Sequence, residues 1–250
     1  MQKLQPIIET KRLTKDFGAL RAVNEVNLEI YTGQIHSIIG PNGAGKTTLF
    51  NLLTGFISPT YGNIFLKGEN INGFPPYLLS KKGVARSFQI TSIFPSLSVF
   101  ENIRVSVQSR KKESLDFLKH YRQLRETAQK ANEILEFIGL SEKSNTIAKN
   151  LSYGEKRILD IGIALATDPE ILLLDEPVSG LAAGDIEWMI KLIKKISEKI
   201  TIVLIDHNID LVISVSDVIT VLNQGSIIAQ GTPDEIQRND QVQKAYLGGY

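Results

Sequence analysis

The residues Gly40-Pro41-Asn42-Gly43-Ala44-Gly45-Lys46-Thr47 combine spaced glycines, a lysine and a hydroxyl in the pattern G-x-x-x-x-G-K-[ST]. Glycines let a backbone wrap closely round an anion and aim successive N–H groups at its oxygens. An apolar run, Ile35 to Ile39, leads into the loop, and a helix-like stretch, Lys46 to Leu53, leaves it. A helix beginning there adds the positive end of its dipole to the cradle. Lys46 then reaches the β- and γ-phosphates of a nucleoside triphosphate, and the Thr47 hydroxyl can ligate Mg2+. Thr48 is grouped with this cradle.

A second set of residues supplies carboxylates. Ile171-Leu172-Leu173-Leu174-Asp175-Glu176 is an apolar strand ending in two acids. A buried strand delivers such groups at its C-terminal edge, where α/β sheets bind ligands. Asp175 is expected in the Mg2+ shell and Glu176 is placed to polarise an attacking water. The guanine-reading motif N-K-x-D is absent, which argues against a Ras-like GTPase.

The elements that must position these groups follow from periodicity. Residues 7–31 read as short strands with turn signals at Asp16, Gly18 and Thr32-Gly33, an antiparallel sheet. Thr201 to Ile205 and Val218 to Leu222 join Ile35 to Ile39 and Ile171 to Leu174 as short β-rich runs. Each lies beyond a helical stretch, the pattern of a mostly parallel sheet covered by helices. From about 113 to 138 the pattern changes: Leu115, Leu118, Tyr121, Leu124, Ala128, Ala131, Leu135 and Ile138 recur at helical spacing among charged residues, predicting an amphipathic helix. The polar, basic run before it, 106–114, reads as a linker.

Composition bounds the class. With 250 residues, 42% hydrophobic and 22% charged, the chain can bury a full core. A net charge of +1 gives no global field to recruit nucleic acid. The absence of cysteine excludes a disulfide framework and thiolate metal sites, and fits a reducing compartment. Met1 to Leu13 lack the apolar run of a signal peptide. No apolar stretch approaches the roughly 20 residues that cross a bilayer, so a membrane role would go through a partner.

Leu151-Ser152-Tyr153-Gly154-Glu155, upstream of Asp175-Glu176, resembles the LSGGQ signature of ABC ATPases. Gln89, in Ser87-Phe88-Gln89, resembles their Q-loop glutamine, and His207, in Ile205-Asp206-His207, their switch histidine. Phe17, in Asp16-Phe17-Gly18, matches the aromatic that stacks on adenine. In this order the motifs cover nearly the whole chain. The runs Phe17 to Asn24, Gly83 to Gln89, Gly231 to Pro233 and Ala245 to Gly248 are similar to ATP-binding subunits of branched-chain amino acid importers; urea-type and lipopolysaccharide-export ATPases look nearly as close.

The resemblance implies a single α/β ABC ATPase domain over 1–250. Its P-loop NTPase (RecA-like) core would carry an N-terminal antiparallel β subdomain and an inserted α-helical subdomain at about 90–165. It implies ATP and Mg2+ as cofactors, with Thr47, Asp175 and Gln89 around the metal. Two ATPase subunits, alike or different, would close head to tail. Ser152 and the Gly154 backbone would then meet the γ-phosphate held by the partner's loop, with His207 opposite Glu176. Membrane permeases and an extracytoplasmic solute-binding protein would complete an importer of small polar solutes, with this chain on the cytoplasmic face of the membrane. A soluble ABC protein of translation or repair usually carries two cassettes or a long coiled-coil insertion, and neither is present. Three residues depart from the family pattern. Tyr153 replaces glycine and Glu155 glutamine in the signature, and Ala182 stands where an aspartate is usual in the loop after Glu176.

Overall fold

The computed structural model describes residues 5–87, 93–110 and 117–247. In chain order, β1 (Ile8–Phe17) and β2 (Leu20–Ile30) form a hairpin, and β3 (Ile35–Ile39) leads through the glycine loop into α1 (Lys46–Leu53). Then come β4 (Tyr61–Leu66), β5 (Glu69–Asn70), α2 (Pro76–Lys81), β6 (Val84–Arg86), α3 (Val99–Ser109), α4 (Phe117–Phe137) and α5 (Tyr153–Leu165). The remainder is β7 (Ile171–Asp175), α6 (Ala183–Ser197), β8 (Thr201–Ile205), α7 (Ile209–Val215), β9 (Val218–Asn223), β10 (Ser226–Gly231), α8 (Pro233–Gln237) and α9 (Asp240–Leu247).

Two sheets result. The antiparallel sheet runs β2-β1-β4-β5, and the larger sheet runs β10-β9-β3-β8-β7-β6. In the larger sheet the pairs from β9 to β6 are parallel, and β10 closes the edge antiparallel to β9. All five residues of β3, β7 and β8 are buried, as expected of strands covered on both faces. Their side chains divide strictly by the pleat. Ile202 and Leu204 of β8 join one core cluster with α3 to α7, whereas Val203 and Ile205 join the other, with α1 and the antiparallel sheet. The glycine loop at the end of β3 is thereby wedged between the two sheets.

α3, α4 and α5, which lie between β6 and β7 in chain order, pack on one another. The buried stripe of α4 is Thr127, Ala131, Ile134 and Leu135, with Ile138 just beyond its end. Ala131, Leu135 and Ile138 lie on the buried face as expected from the sequence, but Leu124 is exposed, Ala128 is only partly buried, and Thr127 and Ile134 take the buried positions instead. Leu115, Leu118 and Tyr121 fall outside the described side chains. The linker expected over 106–114 is corrected at its beginning. Ser106 to Ser109 form the last turn of α3, because Val99, Ile103 and Val107 recur every four residues and are all buried. The polar residues of that turn mark only its outer face.

One polar group lies deep in the sheet. His36 of β3 is fully buried, with Nε2 2.8 Å from Thr220 Oγ1 and Nδ1 3.1 Å from Gln34 Nε2. This pairing suits the neutral ring, the Gln34 amide donating to Nδ1 and Nε2–H donating to Thr220. Burial pushes the imidazole down to about 4 from 6.5. Since the folded value is the lower one, this contribution to stability is complete above about pH 6.5 and is lost as the pH falls towards 4. The size of the shift corresponds to about 3 kcal/mol. Urea titrations at pH 7, 5 and 4 should therefore show a steep acid loss in the wild type. In His36→Gln the loss should be shallower by that amount; equal slopes would remove His36 as its source.

Candidate active site

The loop after β3 departs from ordinary backbone at its glycines. A Cβ at Gly40 would lie 2.2 Å from the Leu222 carbonyl oxygen, and one at Gly45 would lie 2.3 Å from that of Ala22. Gly45, at φ 98°, caps α1 with no side-chain hydrogen bond, so the first N–H groups of α1 are offered outward. Ala44 is buried, Asn42 and Gly43 are exposed, and Lys46, Thr47 and Thr48 form the first turn of α1. Asn24 N–H donates to Gly225 O (2.8 Å) and Gly225 N–H to Ala44 O (3.0 Å), which fastens the loop to the hairpin. Lys46 Nζ folds back to donate to Gly40 O (2.7 Å) and Pro41 O (3.0 Å). Burial lowers the Lys46 pKa, and the charge of Glu176 works against that shift. The charge of Glu176 is therefore felt at the Lys46 ammonium.

β7 leads into Glu176. Asp175 is buried, and its Oδ2 accepts from Arg86 at 2.7 Å. Glu176 takes φ 47°, a left-handed conformation strained for a side chain of its length, and its N–H donates to Ile205 O at 2.8 Å. That turn swings the carboxylate to 3.6 Å from His207 Nδ1. His207 is exposed on the loop after β8, between the buried Asp206 and Asn208, the N-cap of α7. Asp206 Oδ1 accepts from the Asn208 N–H at 2.8 Å, and burial raises the Asp206 pKa. A carboxylate held in a strained turn beside an imidazole, facing a lysine and open N–H groups, suits activation of water against a phosphate.

The remaining sequence-predicted residues are distributed as follows. Phe17 ends β1 half-exposed, with Lys15 Nζ 5.2 Å from its ring centre. Ser152 is the N-cap of α5, and Gly154 is buried so tightly that a Cβ there would lie 2.8 Å from Asp185 Oδ2. Tyr153 is half-exposed between Gly180 and the Arg157 guanidinium, 5.5 Å from its ring centre. Glu155 does not aim its charge outward. It closes a capping box, accepting from Ser152 N–H at 2.9 Å while Ser152 Oγ accepts from Glu155 N–H at 3.2 Å, and it pairs with Lys143. Those partners hold its carboxyl below the usual range, Lys143 foremost. Ala182 is the N-cap of α6 and supplies no side-chain cap. Gln89 lies outside the described residues.

For magnesium, the described residues hold no group of three or more His, Asp or Glu arranged to bind a metal ion by themselves. A phosphate-site Mg2+ takes only one or two side chains, the rest being phosphate oxygens and water, so Thr47 and Asp175 fit that requirement. Sequence reasoning missed Arg86, which lies beside the site, and Asn102, which supports Phe94. Arg86 ends a short apolar strand, where an arginine signals a buried acid close by. Asn102 is fully buried and holds both Phe94 backbone polar groups, at 2.7 Å and 3.1 Å.

The profile of the ABC transporter family matches residues 23–179 of this chain. The chain belongs to that family. A second profile, of branched-chain amino acid ATP-binding cassette transporters, matches residues 226–250. The high-affinity branched-chain amino acid transport ATP-binding protein LivG of Escherichia coli is 43% identical, over 98% of each chain. A nucleotide-free ATP-binding cassette from an ABC transporter superposes with a TM-score of 0.85 at 30% identity, covering 96% of this chain and 98% of that one. A dimeric cassette in a post-hydrolysis state, bound to ADP and Pi, gives 0.77 at 26% identity, covering 90% and 98%. As an ABC cassette, this chain is an ATPase, and ATP hydrolysis is its chemistry. No described helix is long and apolar enough to cross a membrane.

Proposed function

We propose that this chain powers the import of branched-chain amino acids, as one of two ATPase subunits beneath membrane permeases on the cytoplasmic face of the membrane. The observation that carries the reading is the meeting of Lys46, Glu176 and His207 at one end of the parallel sheet, in a chain of this family. Phe17 stacks on adenine, Gly40 to Thr48 wrap the phosphates, and Thr47, Asp175 and Gln89 surround Mg2+. Glu176 polarises the attacking water and His207 steadies the γ-phosphate. The helices at about 90–165 act as a helical subdomain within the single domain 1–250. At its edge α5 presents Ser152 and the backbone of Tyr153 and Gly154 to the partner's γ-phosphate; its capping box uses neither of those two N–H groups. The cargo is carried over from the relative's, and a solute-binding protein outside the membrane would deliver it.

The permease is expected to dock near Phe94. Its ring is half-exposed while Asn102 fixes its backbone, so the side chain is presented by a rigid support rather than spent on packing. In cells lacking the chain, labelled leucine uptake should fall and be restored by the wild type. Phe94→Asp should bind ATP normally in isolation, copurify poorly with permease and fail to restore uptake. Leucine uptake indifferent to the deletion would overturn the cargo. Loss of fold in Phe94→Asp, seen by circular dichroism, would assign Phe94 to packing instead.

A further inference from the structure

Arg86 holds more than its place in β6. Its side chain is 9% exposed and that of Asp175 is 7% exposed, so the ion pair between them at 2.7 Å is nearly dry. The same guanidinium donates to Asn51 Oδ1 (2.7 Å) and reaches Thr54 Oγ1 (3.3 Å), both at the end of α1 or just beyond it. The rings of Phe50 and Phe56 stand 5.6 Å and 5.5 Å from its carbon centre. One cation thus joins the strand that carries Asp175 to the helix that begins at Lys46. A planar guanidinium is suited to this, because its donors lie in a fixed fork.

We propose that Arg86 is a positioning residue for the metal-binding carboxylate. By pinning one oxygen of Asp175 against α1, it fixes the direction in which the other oxygen meets the hydration shell of Mg2+. It also sets the spacing between that oxygen and Thr47 in the first turn of the same helix. The inference rests on the placement of Asp175 in the metal shell. Outer-shell partners of this kind are typically worth about 10- to 100-fold in metal affinity. A merely neutralising role would show itself differently: losing the cation would weaken the fold and leave metal affinity alone.

The test is a Mn2+ titration followed by the free-ion electron paramagnetic resonance signal, with a non-hydrolysable ATP analogue at saturation. Arg86→Met should weaken Mn2+ binding by about 10- to 100-fold, and the Mg2+ concentration for half-maximal ATPase should rise in step. Arg86→Lys keeps the charge but cannot span Asp175 and Asn51 together, so it should recover only part of the affinity. Asn51→Ala, which leaves the ion pair intact, should give a smaller shift in the same direction, and with Arg86→Lys it carries the test if Arg86→Met does not fold. Asp175→Asn is the control. If it weakens Mn2+ binding while the Arg86 and Asn51 variants lose only thermal stability, the positioning role is overturned. If Asp175→Asn itself leaves Mn2+ binding unchanged, the placement of Asp175 falls first and the proposal with it.

Discussion

Glu176→Gln is expected to slow ATP turnover by ~10²- to 10⁴-fold, the usual cost of removing an acid–base group, while ATP stays bound between two subunits. The substitution keeps the size and hydrogen-bonding reach of the side chain, so the strained turn at φ 47° and the approach to His207 should persist. What disappears is the negative charge that draws a proton from water. With hydrolysis blocked, the closed pair should outlive a sizing column run with ATP and come apart without it. Two features argue that the best partner is a different ATPase chain. Ala182 leaves the N-cap of α6 bare at the position where an aspartate is usual, and Glu155 is spent inside its own signature on a capping box. A clear ATP-dependent dimer with the sister subunit and a weaker one alone are therefore expected. A Glu176→Gln chain that stays monomeric with ATP and its sister would defeat the sandwich arrangement. Turnover at the wild-type rate would remove Glu176 as the base.

Lys46→Ala should bring ATP turnover below detection, a loss of at least ~10²- to 10³-fold by comparison with the removal of other charge-stabilising groups. The lysine is already close to where the phosphates would be, its ammonium resting on Gly40 O and Pro41 O. Gly40 is buried, but Pro41 is partly exposed and Asn42 and Gly43 beside it are exposed, so water can take over from the ammonium once it is gone. Removing a half-buried cation whose pKa burial already lowers also removes a desolvation cost. Thermal unfolding should accordingly change little. A folded variant that hydrolyses ATP normally would overturn the assignment of the loop's lysine.

The parts of this site that were legible in the sequence are those whose chemistry is local. The glycines of the loop, the lysine after them and the apolar run ending in Asp175 and Glu176 are each fixed by neighbours a few positions away. Burial on both faces likewise made β7 and β8 readable as nearly continuous apolar runs, whereas His36 and Ser37 interrupt the run in β3. What escaped is nonlocal. Arg86 meets Asp175 across 89 positions, and no spacing rule connects a residue on β6 with one on β7. The end of α3 escaped for another reason: three buried apolar residues in a short helix are outvoted by the polar residues between them, and only the packing against α4 and α5 shows which matter. Glu155 was legible as a departure, and its spacing from Ser152, S-x-x-E, is also that of a capping box, which the structure shows closed.

The fastening of the glycine loop to the β1–β2 hairpin has a consequence for how the nucleotide is measured. Phe17 at the hairpin tip and Ala44 in the loop are linked through β2, Asn24 and Gly225, and Gly45 is pressed against Ala22 of the same strand. On the proposed assignment, base platform and phosphate cradle are therefore the two jaws of one gauge, tied together within this chain. A nucleotide is gripped at both ends only if its sugar and phosphate chain spans that gap. On that assignment the length of the ligand would be checked within a single chain, leaving the second subunit to register a third phosphate.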